Sequence, residues 1–201
     1  MIKKPNPLEP TYKAIIDIVP EGASVLDLGC GHGELLQLLT RAKKVKGQGI
    51  EINEQAIYEC VARGLSVFHD DLDRGLLDYT DDAFDFVIMN QTLQEVRRPD
   101  TVLEDAMRVG RRVIVGFPNF VYYDSRFQLF FCGTTPVNQS LPFEWYNTPN
   151  LHFLSILDFT NYCRKKKITI ERTVYIGKHK TVRLWPNLRA QYGIFVISRQ
   201  K

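Results

Sequence analysis

"VLDLGCGHGELLQLL", Val25 to Leu39, sets three glycines into five positions directly after a short apolar run that carries Asp27. Glycines at the end of a strand let the chain turn sharply and let a ligand approach the main chain without meeting a Cβ atom. Gly29, Gly31 and Gly33 are spaced G-x-G-x-G, whereas the dinucleotide fingerprint is G-x-G-x-x-G and would need a glycine where Glu34 stands. A ligand cradle and a plain tight strand-to-helix turn are the two readings of the stretch by itself.

Outward from it, apolar runs and helical periodicities alternate. Thr11 to Val19 reads as a helix stopped by Pro20, Ser24 to Gly29 as the first strand, and Glu34 to Ala42 as a helix with leucines at helical spacing. Val45 to Ile52 is a second strand, and Asn53 is placed to cap a helix that runs to about Arg63 and stops at Gly64. Ser66 to His69, Phe84 to Met89 and Arg111 to Gly116 read as strands, with a helix over Pro99 to Val109. Ser155 caps a helix to about Lys166, Thr169 to Tyr175 is a strand, and a loop through Trp185 and Pro186 leads to a last strand over Tyr192 to Ser198. Seven strands in this alternation imply a doubly wound α/β fold. Its sheet is mostly parallel, and the final strand pair, lacking an intervening helix, forms an antiparallel edge.

The chain of 201 residues suits one domain, residues 1–201, with 44% hydrophobic and 24% charged residues in the ordinary globular range. A net charge of +3 does not single out a nucleic-acid binder, and the clusters "RAKK" (Arg41 to Lys44) and "RKKK" (Arg164 to Lys167) fall where cations favour helix C-termini. Cys30, Cys60, Cys132 and Cys163 form no C-x-x-C pair, so neither disulfides nor a metal site is expected. With no signal-peptide pattern and no apolar run of membrane-spanning length, a cytoplasmic protein without membrane or nucleic-acid partners is expected. Between Phe117 and Leu154 the alternation gives way to an aromatic, proline- and asparagine-rich insertion with a short helix expected within Tyr123 to Phe131. A segment this long after a core strand is more often functional than ornamental.

In an open α/β sheet the ligand lies beyond the carboxyl ends of the strands. Those ends carry Asp27 to Gly31, then Glu51, then Asp70 and Asp71, then Asn90 and Gln91, then Phe117 to Asn119. Glu51 is spaced to accept from both hydroxyls of a ribose, and Asp71 could accept from an adenine amino group. The glycine turn holds no lysine or arginine, so a cationic ligand without phosphate fits this acid-rich rim better than a pyrophosphate does.

At these residues the chain resembles the class I S-adenosylmethionine-dependent methyltransferases, whose first motif is an acidic residue followed by G-x-G-x-G; here it reads Asp27-Leu28-Gly29-Cys30-Gly31-His32-Gly33. The resemblance implies a Rossmann-like sheet binding S-adenosylmethionine or S-adenosylhomocysteine. The turn of Gly29, Cys30 and Gly31 would meet the methionine part, Glu51 and Ile52 the ribose side, Asp71 and Leu72 the adenine, and Asn90 would lie at the fourth strand's end. His32 stands where aspartate or asparagine is usual, and Asn90 where serine is common. Over nearly the whole chain, "QTLQEVRRPDTVLEDAMRVGRRVIVGFPNF", "LPFEWYNTPNLHFLSILDF" and "WPNLRAQYGIFVI" are similar to the MetW family of methionine biosynthesis proteins.

That similarity implies an accessory or regulatory partner of a MetX-type homoserine O-acyltransferase, acetyl or succinyl. Beside it stand a catalytically active methyltransferase acting on a small molecule and a nicotinamide oxidoreductase, the last disfavoured by the glycine spacing. Methyl transfer needs a base only if the acceptor must lose a proton. His152 is the one candidate, and a histidine that merely satisfies loop carbonyls is the simpler account of it. Tyr122, Trp145, Tyr146, His152, Trp185 and Arg189 are expected to line an acceptor site or a partner surface, with the insertion covering the carboxyl end of the sheet.

Overall fold

The computed structural model describes residues 9–178 and 180–200. The expected domain's first eight residues, His179 and Lys201 lie outside them. One seven-stranded sheet runs through the described chain in the order β3-β2-β1-β4-β5-β7-β6. Its strands are β1 (Ser24–Leu28), β2 (Lys46–Glu51), β3 (Val67–His69), β4 (Phe84–Asn90), β5 (Gly110–Pro118), β6 (Ile168–Ile176) and β7 (Tyr192–Arg199). Strands β1 to β5 pair in parallel, and β7 runs antiparallel to both β5 and β6. The last strand is therefore inserted between β5 and β6, and β6 forms the edge.

The central strands are apolar on both sides because both faces are covered. Leu26 and Leu28, Val87 and Met89, and Val113, Val115 and Phe117 pack on one face with Val102, Leu103 and Ala106 of α4 (Pro99–Val109) and Ile156, Phe159 and Cys163 of α6 (Ile156–Lys166). The alternate residues Val25, Phe86, Ile88 and Ile114 pack on the other face with Ile15 of α1 (Glu9–Ile18) and Leu35 and Leu39 of α2 (Glu34–Lys43). The period of two within uninterrupted apolar runs divides each strand between two cores.

Helix ends follow the local chemistry. Asn53 accepts from Ala56 N–H at 3.0 Å and starts α3 (Glu54–Ala62). Ser155 and Asp158 close a reciprocal capping box on α6, Oγ accepting from Asp158 N–H at 3.0 Å and Asp158 Oδ2 from Ser155 N–H at 3.0 Å. Both basic clusters end helices, α2 at Lys44 and α6 at Lys167, each lysine left-handed with φ of 50° and 56°. No helix among the described residues is long and apolar enough to cross a membrane.

The insertion opens with α5 (Tyr123–Phe127), which widens into a π-helical turn over Gln128–Cys132, one residue beyond the expected segment. In place of the expected loop at Trp185 and Pro186, Pro186–Arg189 forms the short helix α7, with Trp185 left-handed at φ 53° and proline in the first turn, where its missing N–H costs nothing.

Replacing Ser155 with alanine removes one half of the capping box and should cost about 1 kcal/mol. The urea midpoint is expected to fall with an unchanged slope.

Candidate functional site

The turn between β1 and α2 is built on left-handed backbone, Gly29, Gly31 and Gly33 having φ of 69°, 53° and 73°. Space differs between them. A Cβ on Gly33 would lie 2.5 Å from Leu65 and 2.7 Å from the Cys60 sulfur, whereas one on Gly31 would meet nothing within 4 Å. Gly33 thus serves packing and Gly31 leaves the turn open towards a cavity of about 530 Å³ at the carboxyl ends of β1 to β4.

Glu51, at the end of β2, secures that turn. Its Oε2 accepts from Gly31 N–H at 2.8 Å, and its Oε1 accepts from Ile52 and Asn53 N–H at 2.8 and 2.9 Å. Each carboxylate oxygen has about two acceptor positions, so Oε2 keeps capacity towards the cavity. Asp27 is nearly buried beneath the turn, and burial, with the Glu51 charge second, pushes its pKa up from 3.8 to about 7. Asp71 accepts from Asp73 N–H at 3.0 Å and starts the 3-10 turn Leu72–Arg74.

Seven carboxylates line the cavity, those of Asp27, Glu34, Glu51, Asp70, Asp71, Asp73 and Glu95, and no lysine or arginine among the described residues does. Gly29, Cys30, Gly31, Ile52, Leu72 and Asn90 also line it. All nine cofactor positions expected from the sequence therefore border one cavity. Asn90 Oδ1 and Gln91 Nε2 are buried without a hydrogen-bond partner, and Gln91 is left-handed at φ 66°, a strained state for a non-glycine residue at the end of β4. His32 borders the cavity but pairs its Nδ1 with Glu59 Oε2 at 3.0 Å, and its carbonyl accepts from Arg63.

The acceptor or partner residues lie elsewhere. His152 sits behind the cavity wall, its Nε2 3.0 Å from the Val96 carbonyl and its N–H donating to the Gln94 carbonyl, in a cleft with Leu103, Phe159 and Tyr162. Trp145 and Tyr146 are 73% and 70% exposed, Trp185 74%, and Arg189 is exposed as well. Tyr122 is buried at the foot of α5. None of these six lines the carboxylate cavity.

Glu95 and Tyr12 border the cavity without having been singled out from sequence. Glu95 follows β4 by one turn, its N–H donating to the Thr92 carbonyl at 2.9 Å; burial and then Glu51 raise its pKa. Following the chain five residues past Asn90, the end of β4, would have found it. Tyr12 arrives from α1, which no local pattern places near the site.

A carboxyl group whose folded pKa exceeds its unfolded value keeps its proton longer when native, so its contribution to stability is present below about pH 4 and is lost as pH rises to about 7. Asp27→Asn should therefore melt near the wild type at pH 4 and progressively above it towards pH 8. Thermal unfolding across that range checks this, and a constant offset would contradict the assignment.

A model of the family described as methionine biosynthesis protein MetW matches residues 9–197. The chain is 33% identical to the bifunctional methionine biosynthesis protein MetXA/MetW of Rhodopirellula baltica, over 94% of this chain and 32% of that protein. It thus spans about a third of the length of the curated relative that it matches. Among solved structures, a SAM-dependent (S-adenosylmethionine-dependent) methyltransferase from Archaeoglobus fulgidus superposes with a TM-score of 0.72 at 14% identity, covering 96% of this chain and 93% of that one. Another from Thermotoga maritima gives 0.68 at 20% identity, covering 94% and 87%. At such identities these two speak to the fold alone, which is that of the class I methyltransferases. By its sequence over nearly all of its length, the chain belongs to the methionine biosynthesis protein MetW family.

Proposed function

We propose that the protein binds S-adenosylmethionine or S-adenosylhomocysteine in the carboxylate-lined cavity and serves methionine biosynthesis as an accessory or regulatory partner of a homoserine O-acyltransferase. The observation that carries the ligand is the chemistry of the cavity, seven acidic side chains, two of them (Asp27 and Glu95) with raised pKa values, and no lysine or arginine among its described lining. A sulfonium and an ammonium gain from that field, whereas a pyrophosphate would be repelled by it.

The residues present fit the group. Glu51 Oε2 has capacity left for a ribose hydroxyl, Asp71 and Leu72 flank the adenine side beside Ile52, and the open Gly31 backbone with Asp27 beneath it suits the cationic amino-acid end. Cys30 and Asn90 complete the walls. When bound, S-adenosylmethionine supplies an electrophilic methyl group. The side chains of this chain bind and orient it and, with Asp27 ionised, neutralise its charge.

The partner half of the reading is supported by the Rhodopirellula protein, whose name joins MetXA and MetW in one chain. Exposed Trp145, Tyr146 and Trp185 agree with a surface that awaits a partner. Glu95 favours the second reading, a methyltransferase acting on a small molecule, because a carboxyl with a raised pKa at the cavity's edge could take a proton from an acceptor. His152 is worse placed for that task, since it does not line the cavity.

The two readings separate in one assay. Purified homoserine O-acyltransferase from the same organism should turn over faster, or stay soluble longer, when this protein is added, and S-adenosylmethionine should change the size of the effect. No effect on acyl transfer, together with consumption of S-adenosylmethionine in the presence of small acceptors, would establish the second reading.

A further inference from the structure

The insertion carries eleven aromatic residues between Phe117 and Leu154 but only three formally charged ones, Asp124, Arg126 and Glu144. Depletion of charge with enrichment of aromatics is the composition of the core of a protein–protein interface. Much of this apolar surface faces outward: Phe130 is 81% exposed, Phe131 69%, Trp145 73% and Tyr146 70%. None of the four borders the carboxylate cavity, so a role in covering the ligand does not account for them.

The exposed rings stand on a hydrogen-bonded frame. Gln128, the first residue of the π-helical turn, accepts from Val137 N–H at 3.0 Å and donates to its carbonyl at 3.1 Å, bridging the turn to the strand of chain that follows. Asn138 donates to Ser125 Oγ at 2.9 Å, and its Oδ1 accepts from the N–H groups of Ser140 and Leu141. Phe131 packs on Phe127 with centroids 4.9 Å apart and on Phe130 at 4.8 Å. In the same insertion, Phe120, Pro136, Leu141, Phe143, Trp145 and Phe153 wall an apolar cleft of about 230 Å³. Anchors held in place before binding lose little freedom when they bind, which is the property of interface hot spots.

We infer that this ridge and cleft, Phe130 and Phe131 with the cleft beside Trp145, are the docking surface for the homoserine O-acyltransferase, an apolar side chain of which fills the cleft. The inference rests on the partner reading above. Its occupant is argued from the relative that joins the two proteins in one chain, since fused partners keep each other at hand and a charge-poor aromatic face fits a lasting association. Trp185 and Arg189 do not line the cleft.

The test uses the full chain and the purified acyltransferase. The dissociation constant is measured for wild type, for Phe130→Ala/Phe131→Ala, for Phe130→Glu alone, and for Tyr58→Ala on α3, a residue 68% exposed at the other end of the sheet. The ridge variants should weaken the complex at least tenfold and Tyr58→Ala less than twofold, with melting temperatures unchanged. In parallel, alkylation of the exposed Cys132 in the π-helical turn should slow several-fold when the acyltransferase is present. A complex that forms equally well with all variants and leaves Cys132 reactive overturns this surface while the partner reading stands. Absence of any complex overturns both. A wild type that sedimentation shows to be dimeric, with ridge variants that are monomeric, assigns the face to a second copy of the chain and overturns the inference.

Discussion

One carboxylate holds the site together. Glu51 receives the N–H groups of Gly31, Ile52 and Asn53, and so joins the turn after β1 to the chain entering α3. A glycine turn has no side chains with which to hold itself, and its left-handed residues lose more freedom on ordering than others would. Charge-assisted bonds donated to this one carboxylate replace those missing contacts. Burial first, and then the same carboxylate, raise the pKa of Asp27 and of Glu95. The arrangement that stiffens the turn thereby concentrates negative charge around the cavity, and a cation entering it would relieve both neighbours.

The segment after β4 belongs to two surfaces. Thr92, Glu95 and Val96 border the cavity, while the Gln94 carbonyl accepts from Leu151 and His152 N–H and the Val96 carbonyl lies against His152 Nε2. Thr92 also donates to the Leu28 carbonyl at 2.7 Å, tying the segment to β1. The hydrogen bonds at Gln94 and Val96 join the cavity wall directly to the end of the aromatic insertion, and any coupling between ligand and insertion would run through them. Coupling of this kind is reciprocal, so a partner seated on the insertion would alter ligand affinity by the same factor as ligand alters partner affinity.

The elements that can be read from sequence are those whose signals are local. Asn53 and Ser155 mark helix starts because a short polar side chain just before an apolar periodicity has one good use, and the apolar runs at Val25, Phe86 and Val113 mark strands buried on both faces. The residues that line the cavity were legible for a related reason, since strand ends converge on one edge in this topology. Strand order carries no local signal: the antiparallel edge made by the last two strands is expected from their missing helix, but the insertion of β7 between β5 and β6 is not. The insertion's hydrogen-bonded frame was hidden too, because it depends on Gln128 reaching Val137 and Asn138 reaching Ser125 within a segment of no periodicity. Tyr12 reaches the cavity only through the packing of α1 on the sheet face.

On the reading proposed above, the carboxylate-lined cavity takes an adenosyl ligand held through Glu51. Titration calorimetry measures it most directly, with S-adenosylmethionine, S-adenosylhomocysteine and NAD added in turn to the wild type and to Glu51→Gln. The account predicts saturable heat with the two adenosyl ligands and none with NAD. It also predicts binding weaker by about 1–3 kcal/mol in the variant, whose amide nitrogen cannot accept from both the turn and a ribose hydroxyl. Binding of NAD with no heat from either adenosyl ligand at millimolar concentration, or equal affinity in the variant, would contradict it.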